Sequence, residues 1–142
     1  MTVTSLHAYL SYRDAPAAIE WLERALGFAT TMRFEDEQGF VAHAELRRDG
    51  VAVILFADAG AGYDQPAPRD GAVGQGVYLA VADPGEVDTA WAQALAADAV
   101  PVWEPAWTEW GNYRCRVRDP EGHEWTFGVH RPGEEVVAGQ EW

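Results

Sequence analysis

The chain repeats itself, and that repetition limits what it can fold into more than any other feature. Asp14 stands at a helix start, with Pro16 in the first turn where a missing N–H costs little. Ile19, Leu22, Ala25 and Leu26 follow at helical spacing, and Gly27 is a stop. Asp83-Pro84 opens a second segment of the same kind, with Val87, Ala90, Trp91, Ala94 and Leu95 on one face. The two Asp residues are 69 apart (83 − 14), and the turn glycines Gly50 and Gly122 are 72 apart (122 − 50). Strand-like stretches surround both helices in the same order. In the first half they are Leu6–Tyr12, Phe28–Phe34, Gly39–Leu46 and, after the Asp49-Gly50 turn, Val51–Phe56. In the second they are Gly76–Val81, Val100–Trp103 and a closing hairpin. The pattern predicts an α+β fold of two tandem βαβββ modules, an internal duplication. The expected boundaries are 1–57 for the first module, 58–74 for a linker rich in Gly, Pro, Asp and Ala, 75–131 for the second module and 132–142 for an acidic tail.

The closing hairpin is the sharpest local signal. Asp119-Pro120-Glu121-Gly122 is turn chemistry: Pro holds φ, and Gly accepts a positive φ. Before it, Tyr113, Cys115 and Val117 alternate with Arg114, Arg116 and Arg118; after it, Trp125, Phe127 and Val129 alternate with Glu124, Thr126 and Gly128. One face is apolar and should lie on a helix. The other carries Arg, Glu and Thr and should meet water, a ligand or both.

Composition excludes several classes. A chain of 142 residues, 48% hydrophobic, can bury a core. It has no run of 18 apolar residues and no charged-then-apolar leader, so it reads as soluble and cytoplasmic, with no membrane partner. The single Cys115 rules out an internal disulfide and fits a reducing compartment. Net charge is −13, and all ten basic residues are Arg. A field of that sign repels nucleic acid. No phosphate-cradling glycine loop and no nucleophile-base-orienter set appears.

The stretches YLSYRDAPAAIEWLERALGF, AHAELRRDGVAVILFAD, VYLAVADPGEVDTAWAQALA and WGNYRCRVRDPEGHEWTFGVHRP stand in order over roughly residues 5–131. Together they resemble the glyoxalase / bleomycin-resistance / dioxygenase superfamily, the vicinal oxygen chelate proteins. The resemblance implies two modules around a cleft or partial barrel, often in dimers. Metal-using members take one ligand from the first and last strand of each module. The matching positions here are His7, Ile54, Gly76 and Thr126, and only His7 has a suitable donor. A shift of register would promote Glu124. The resemblance therefore implies a member without a metal or other cofactor.

By strand parity His7, Tyr9 and Ser11 face the expected cleft from the first module, and Gly76 and Tyr78 from the second. Trp103, Trp107 and Trp110, read as a loop by Pro105 and the lack of clean periodicity, stand beside Glu104 and Glu109. Indoles bind flat or cationic groups, and they also seal interfaces. Arg114 and Arg116 share a strand face with Glu124. They either recognise an anion or pair with carboxylates on neighbouring strands. The candidate ligand-binding set is His7, Tyr9, Tyr78, Trp103, Trp107, Trp110, Arg114, Arg116 and Glu124. The leading functional reading is metal-independent binding of a small molecule, planar or cationic, in an aromatic acidic cleft, by a homodimer, as bleomycin-resistance proteins do. The rival class is enzymatic: a glyoxalase-like lyase or isomerase, or an antibiotic-modifying transferase. A third is a degenerate member that serves protein–protein contact.

Overall fold

The computed structural model describes residues 1–58 and 74–134, so nearly all of the expected linker and tail lies outside the described residues. The chain divides into two compact units, residues 1–66 and 67–142. Each holds one helix and one four-stranded sheet, and the order within each is βαβββ.

The first unit runs β1 (Tyr9–Tyr12), α1 (Ala15–Leu26), β2 (Ala29–Glu35), β3 (Val41–Arg48) and β4 (Val51–Ala57), with sheet order β1-β4-β3-β2. Helix α1 starts where Asp14 accepts a hydrogen bond from the Ala17 N–H at 3.1 Å. It stops where Gly27 turns to φ 73°, a left-handed conformation that costs glycine little. Arg48 donates to the last-turn carbonyl of Leu26 at 2.8 Å, giving the negative helix end a cation. One sheet face is buried with the helix: Leu10 and Tyr12, Ala44 and Leu46, Val53 and Leu55, together with Ile19, Leu22 and Leu26. Burying each of the larger side chains contributes about 1.5–3 kcal/mol. The first strand is shorter than its pattern predicts, because residues before Tyr9 lie outside the strand, although the Ala8 carbonyl still accepts from Ile54.

The second unit runs β5 (Gly76–Ala80), α2 (Pro84–Ala96), β6 (Val100–Trp107), β7 (Tyr113–Arg118) and β8 (Glu124–Gly128), with order β5-β8-β7-β6. Asp83 accepts from the Glu86 N–H, and the Glu86 carboxylate reaches back to the Ala82 N–H, so two orphan donors are satisfied reciprocally. The buried stripe of α2 is Val87, Ala90 and Ala94. Leu95, expected on that face, is exposed, and Trp91 is half-buried. Small residues at 90 and 94 let the backbone come close to the sheet: Cys115 Sγ lies 3.9 Å from the Val87 carbonyl.

The largest departure from the sequence reading is β6. The segment from Trp103 was expected to be loop, yet the strand continues to Trp107. Two register shifts, at Pro101/Trp103 and Trp103/Ala106, break the alternation that would have marked it. Pro101 and Pro105 are tolerated because β6 is an edge strand, so a missing N–H breaks no ladder on its outer side.

At the hairpin tip, Asp119 is buried and organises the turn. Its Oδ1 accepts from the N–H groups of Glu121 and His123, both at 3.0 Å, and its Oδ2 accepts from the indole of Trp125 at 3.1 Å. Asp119→Ala would strand those donors in the interior. We expect it to lower unfolding free energy by roughly 2–5 kcal/mol in urea titrations, with Asp119→Asn costing less because it keeps an acceptor oxygen.

Candidate functional site

Helix α2 covers one face of the second sheet, and the chemistry lies on the other. Cross-strand register sets that open face in rows: Gly76, Glu124 and Arg118; Tyr78, Thr126, Arg116 and Trp103; Gly128, Arg114 and Ala106. Strand β8 lies inside the sheet, and its polar residues are not at water. Glu124 is 3% exposed and Thr126 4%. The Arg stripe folds over them. Arg118 approaches Glu124 at 3.3 Å and Arg116 at 3.6 Å, and Arg116 Nε donates to the Thr126 hydroxyl at 2.7 Å. Burial pulls the Arg116 pKa down while Glu124 opposes that shift, and the guanidinium stays charged.

Arg114 differs from its two neighbours. Among the described residues its side chain has no carboxylate within ion-pairing distance and no hydrogen bond. Its guanidinium carbon lies 4.1 Å from the Trp103 ring centre and 5.8 Å from that of Trp110. Arg116 also lies over Trp103, at 3.8 Å. Trp103 is thus a platform for two arginines.

The turn from Thr108 to Asn112 closes this end of the sheet through a residue the sequence reading did not single out. Asn112 is fully buried. Its Oδ1 accepts from the N–H groups of Val129 and His130, both at 3.0 Å, and its Nδ2 donates to the Tyr78 hydroxyl at 3.2 Å. That hydroxyl in turn donates to the His130 carbonyl at 2.7 Å, and burial pushes the Tyr78 pKa up. Trp110 rests edge-on against the His130 ring at 5.4 Å. The network fixes Trp110, so Tyr78 acts as frame and not as wall. Its available signal was Gly111-Asn112, a turn pair directly before an alternating strand.

Between β6, this turn and β7 lies an open pocket of about 660 Å³. Trp103, Trp107, Trp110 and Arg114 line it, with Glu104 and Glu109 at its exposed edge. The volume is that of a small-molecule site. Trp107 borders the pocket but leans on Tyr113 at 5.2 Å, whose hydroxyl bonds Asp88 of α2. His7 and Tyr9 belong to the first unit. There Tyr9 contacts Phe56 and His43, and His7 is exposed.

The residues at the superfamily's ligand positions do not fit a divalent metal. His7 Nδ1 donates to the Ala52 carbonyl, and Nε2 is bonded to the Ser5 hydroxyl, both at 2.8 Å. Ile54 and Gly76 have no donor atom. The ladder sets Gly76 against Glu124, so a register shift does favour Glu124 over Thr126, but that carboxylate is held by two guanidinium groups. Among the described residues no three His, Cys, Asp or Glu side chains gather. Cys115, buried against α2, has its pKa pushed up to about 11 by desolvation and is poorly suited to act as a nucleophile.

The model of the Glyoxalase/Bleomycin resistance protein/Dioxygenase superfamily matches residues 4–127. The chain belongs to that superfamily. An uncharacterized protein of Mycobacterium bovis is 30% identical over 127 residues, covering 87% of this chain and 82% of the relative. TioX from Micromonospora sp. ML1 superposes on this superfamily member with a TM-score of 0.64 at 28% identity, over 89% of this chain and 100% of its own. A lactoylglutathione lyase from Agrobacterium tumefaciens shares the fold at TM-score 0.65 and 23% identity, over 89% of this chain and 93% of its own. The fosfomycin resistance protein FosX from Listeria monocytogenes, complexed with Mn(II) and sulfate, shares it at 0.69 and 12%, over 93% and 96%.

Gly128 sits beneath the Tyr78–Asn112 pair. A Cβ built there would lie 2.5 Å from the Tyr78 oxygen and 2.8 Å from Asn112 Oδ1. Gly128→Ala should therefore cost about 1–3 kcal/mol of stability and blur the Trp110 indole N–H signal in NMR spectra. Tyr78→Phe in the same chain should recover part of the loss, because one of the clashing atoms is gone.

Proposed function

We propose that this superfamily member binds a small planar molecule in the aromatic pocket of its second unit, without a metal ion, and that binding is its function. The carrying observation is the pocket itself: two indoles, Trp103 and Trp110, against a guanidinium that has no ionic partner among the described residues, with Trp107 at the border. A catalytic reading draws support from the shared fold with a lactoylglutathione lyase and with FosX. Against it stands the donor set at the ligand positions, which offers one imidazole bonded to Ala52 and Ser5 and one carboxylate already paired with arginines. The same reading includes a cytoplasmic location, since the lone buried thiol needs no oxidising compartment.

The test is a small-molecule panel titrated calorimetrically, with and without chelator. Ligands found this way should bind equally in both conditions. Trp110→Ala should weaken them about tenfold, since stacking contributes roughly 0.5–1.5 kcal/mol beyond area burial. Affinity unchanged in Trp110→Ala for every ligand found, or lost on chelation, would overturn the reading.

We also propose a homodimer. Tyr9, Met32, Phe34 and Phe40 are exposed on the first unit, at 63%, 45%, 58% and 46%, and two-fold dimers are the commonest soluble assembly. Light scattering at micromolar concentration should give twice 15.6 kDa. A monomer alone at that concentration would end the idea.

A further inference from the structure

Building on the pocket reading, we infer that the ligand is an aromatic acid: its anionic group pairs with Arg114 and its ring lies against Trp110. The charge distribution on the open face carries this. Three guanidinium groups from Arg114, Arg116 and Arg118 share that face with one buried carboxylate, Glu124, while Glu104 and Glu109 stand exposed at the pocket edge. The whole chain carries −13, yet three of its ten arginines gather on this one face.

The three are not paired alike. Glu124 compensates Arg116 and Arg118, and Thr126 further occupies Arg116. Arg114 spends none of its N–H groups on another described residue. It is held by indole contacts alone, at 4.1 Å and 5.8 Å. A guanidinium in this state keeps its planar donor fork for a carboxylate, which it can take bidentately.

A cationic ligand fits less well. The indole it would stack on, Trp103, already carries two cations within 4.1 Å. A third would meet like charge at contact distance. Glu104 and Glu109 could attract it, but both stand exposed, where water and salt weaken the attraction. The net charge of the chain opposes an anion only over long range. Beyond about 8–10 Å it is screened at physiological salt, whereas a carboxylate touching Arg114 is not. Trp110 offers a ring beside that charge: it lines the pocket, is 40% exposed, and meets His130 edge-on.

The experiment compares three probes on one ring system: naphthoate, naphthamide and naphthylmethylammonium. Calorimetry gives affinity, and the indole N–H signals of the pocket locate the ligand. Naphthoate should bind at least tenfold more tightly than the amide, and the ammonium most weakly. Arg114→Gln should lower naphthoate affinity about ten- to hundredfold and leave the amide unchanged. Arg33→Gln, on the first unit and paired with Glu35, should change neither. Arg114→Lys keeps the charge but not the fork, and should lose affinity several-fold; it serves if the Gln variant does not fold. Ammonium binding as tightly as the acid, with the same indole signals shifted, would sink the anion assignment and leave the pocket standing. No indole shift with any of the three probes would sink both.

Discussion

The second unit depends on one buried carboxylate. Glu124 is almost fully enclosed in the sheet, where an unpaired charge would cost several kcal/mol. Arg116 and Arg118 offset part of that cost from the neighbouring strand by ion pairing at 3.6 and 3.3 Å, and in doing so they are drawn down across β8. This ties the register of β7 and β8 to an electrostatic requirement as well as to backbone ladders, because a slip of one residue would put all three arginines on the helix face. It also brings Arg116 over Trp103, so the edge strand β6 is joined to the centre of the sheet by a cation over an indole. Arg114 is what remains once Glu124 has been shared.

The two units show how far topology and chemistry separate. Both have βαβββ order, a parallel pair between first and last strand, and a helix capped by Asp over one sheet face. Their open faces differ. The first presents Tyr9, Phe56, His43 and Glu45, with His43 and Glu45 paired at 2.6 Å. The second presents arginines and tryptophans. The helix-covered faces are constrained by close packing, and the open faces are free to carry different sites. Superfamily membership therefore states the fold of this chain and leaves its ligand to be argued from side chains.

Much of the fold was legible in the chain because the signals are local. Asp14 and Gly27 act through atoms within a few residues of themselves, and Asp119 organises a turn of which it is part. A strand with one buried face alternates at period two, as Cys115, Val117, Trp125 and Phe127 do. The length of β6 escaped the same reasoning, because two bulges erase the period and two prolines read as breakers until the strand is known to lie at an edge.

The candidate site was legible only as a list. Composition and spacing named three tryptophans and three arginines near one another, and set the number of charges to be matched. Which arginine is left without a carboxylate among the described residues depends on Glu124 lying across from Arg118 and within 3.6 Å of Arg116, while Arg114 lies across from Gly128. Asn112 likewise becomes a hub only when the fold carries Tyr78, 34 residues away, and Val129 to either end of its amide. The sequence by itself determined the helices and the hairpin, since each rests on interactions between near neighbours in the chain, and its repeated motif spacing marked the duplication and the resemblance to the superfamily. Only the tertiary structure decided which charges cancel, because ion pairing acts through space between strands and falls off within a few ångströms of contact.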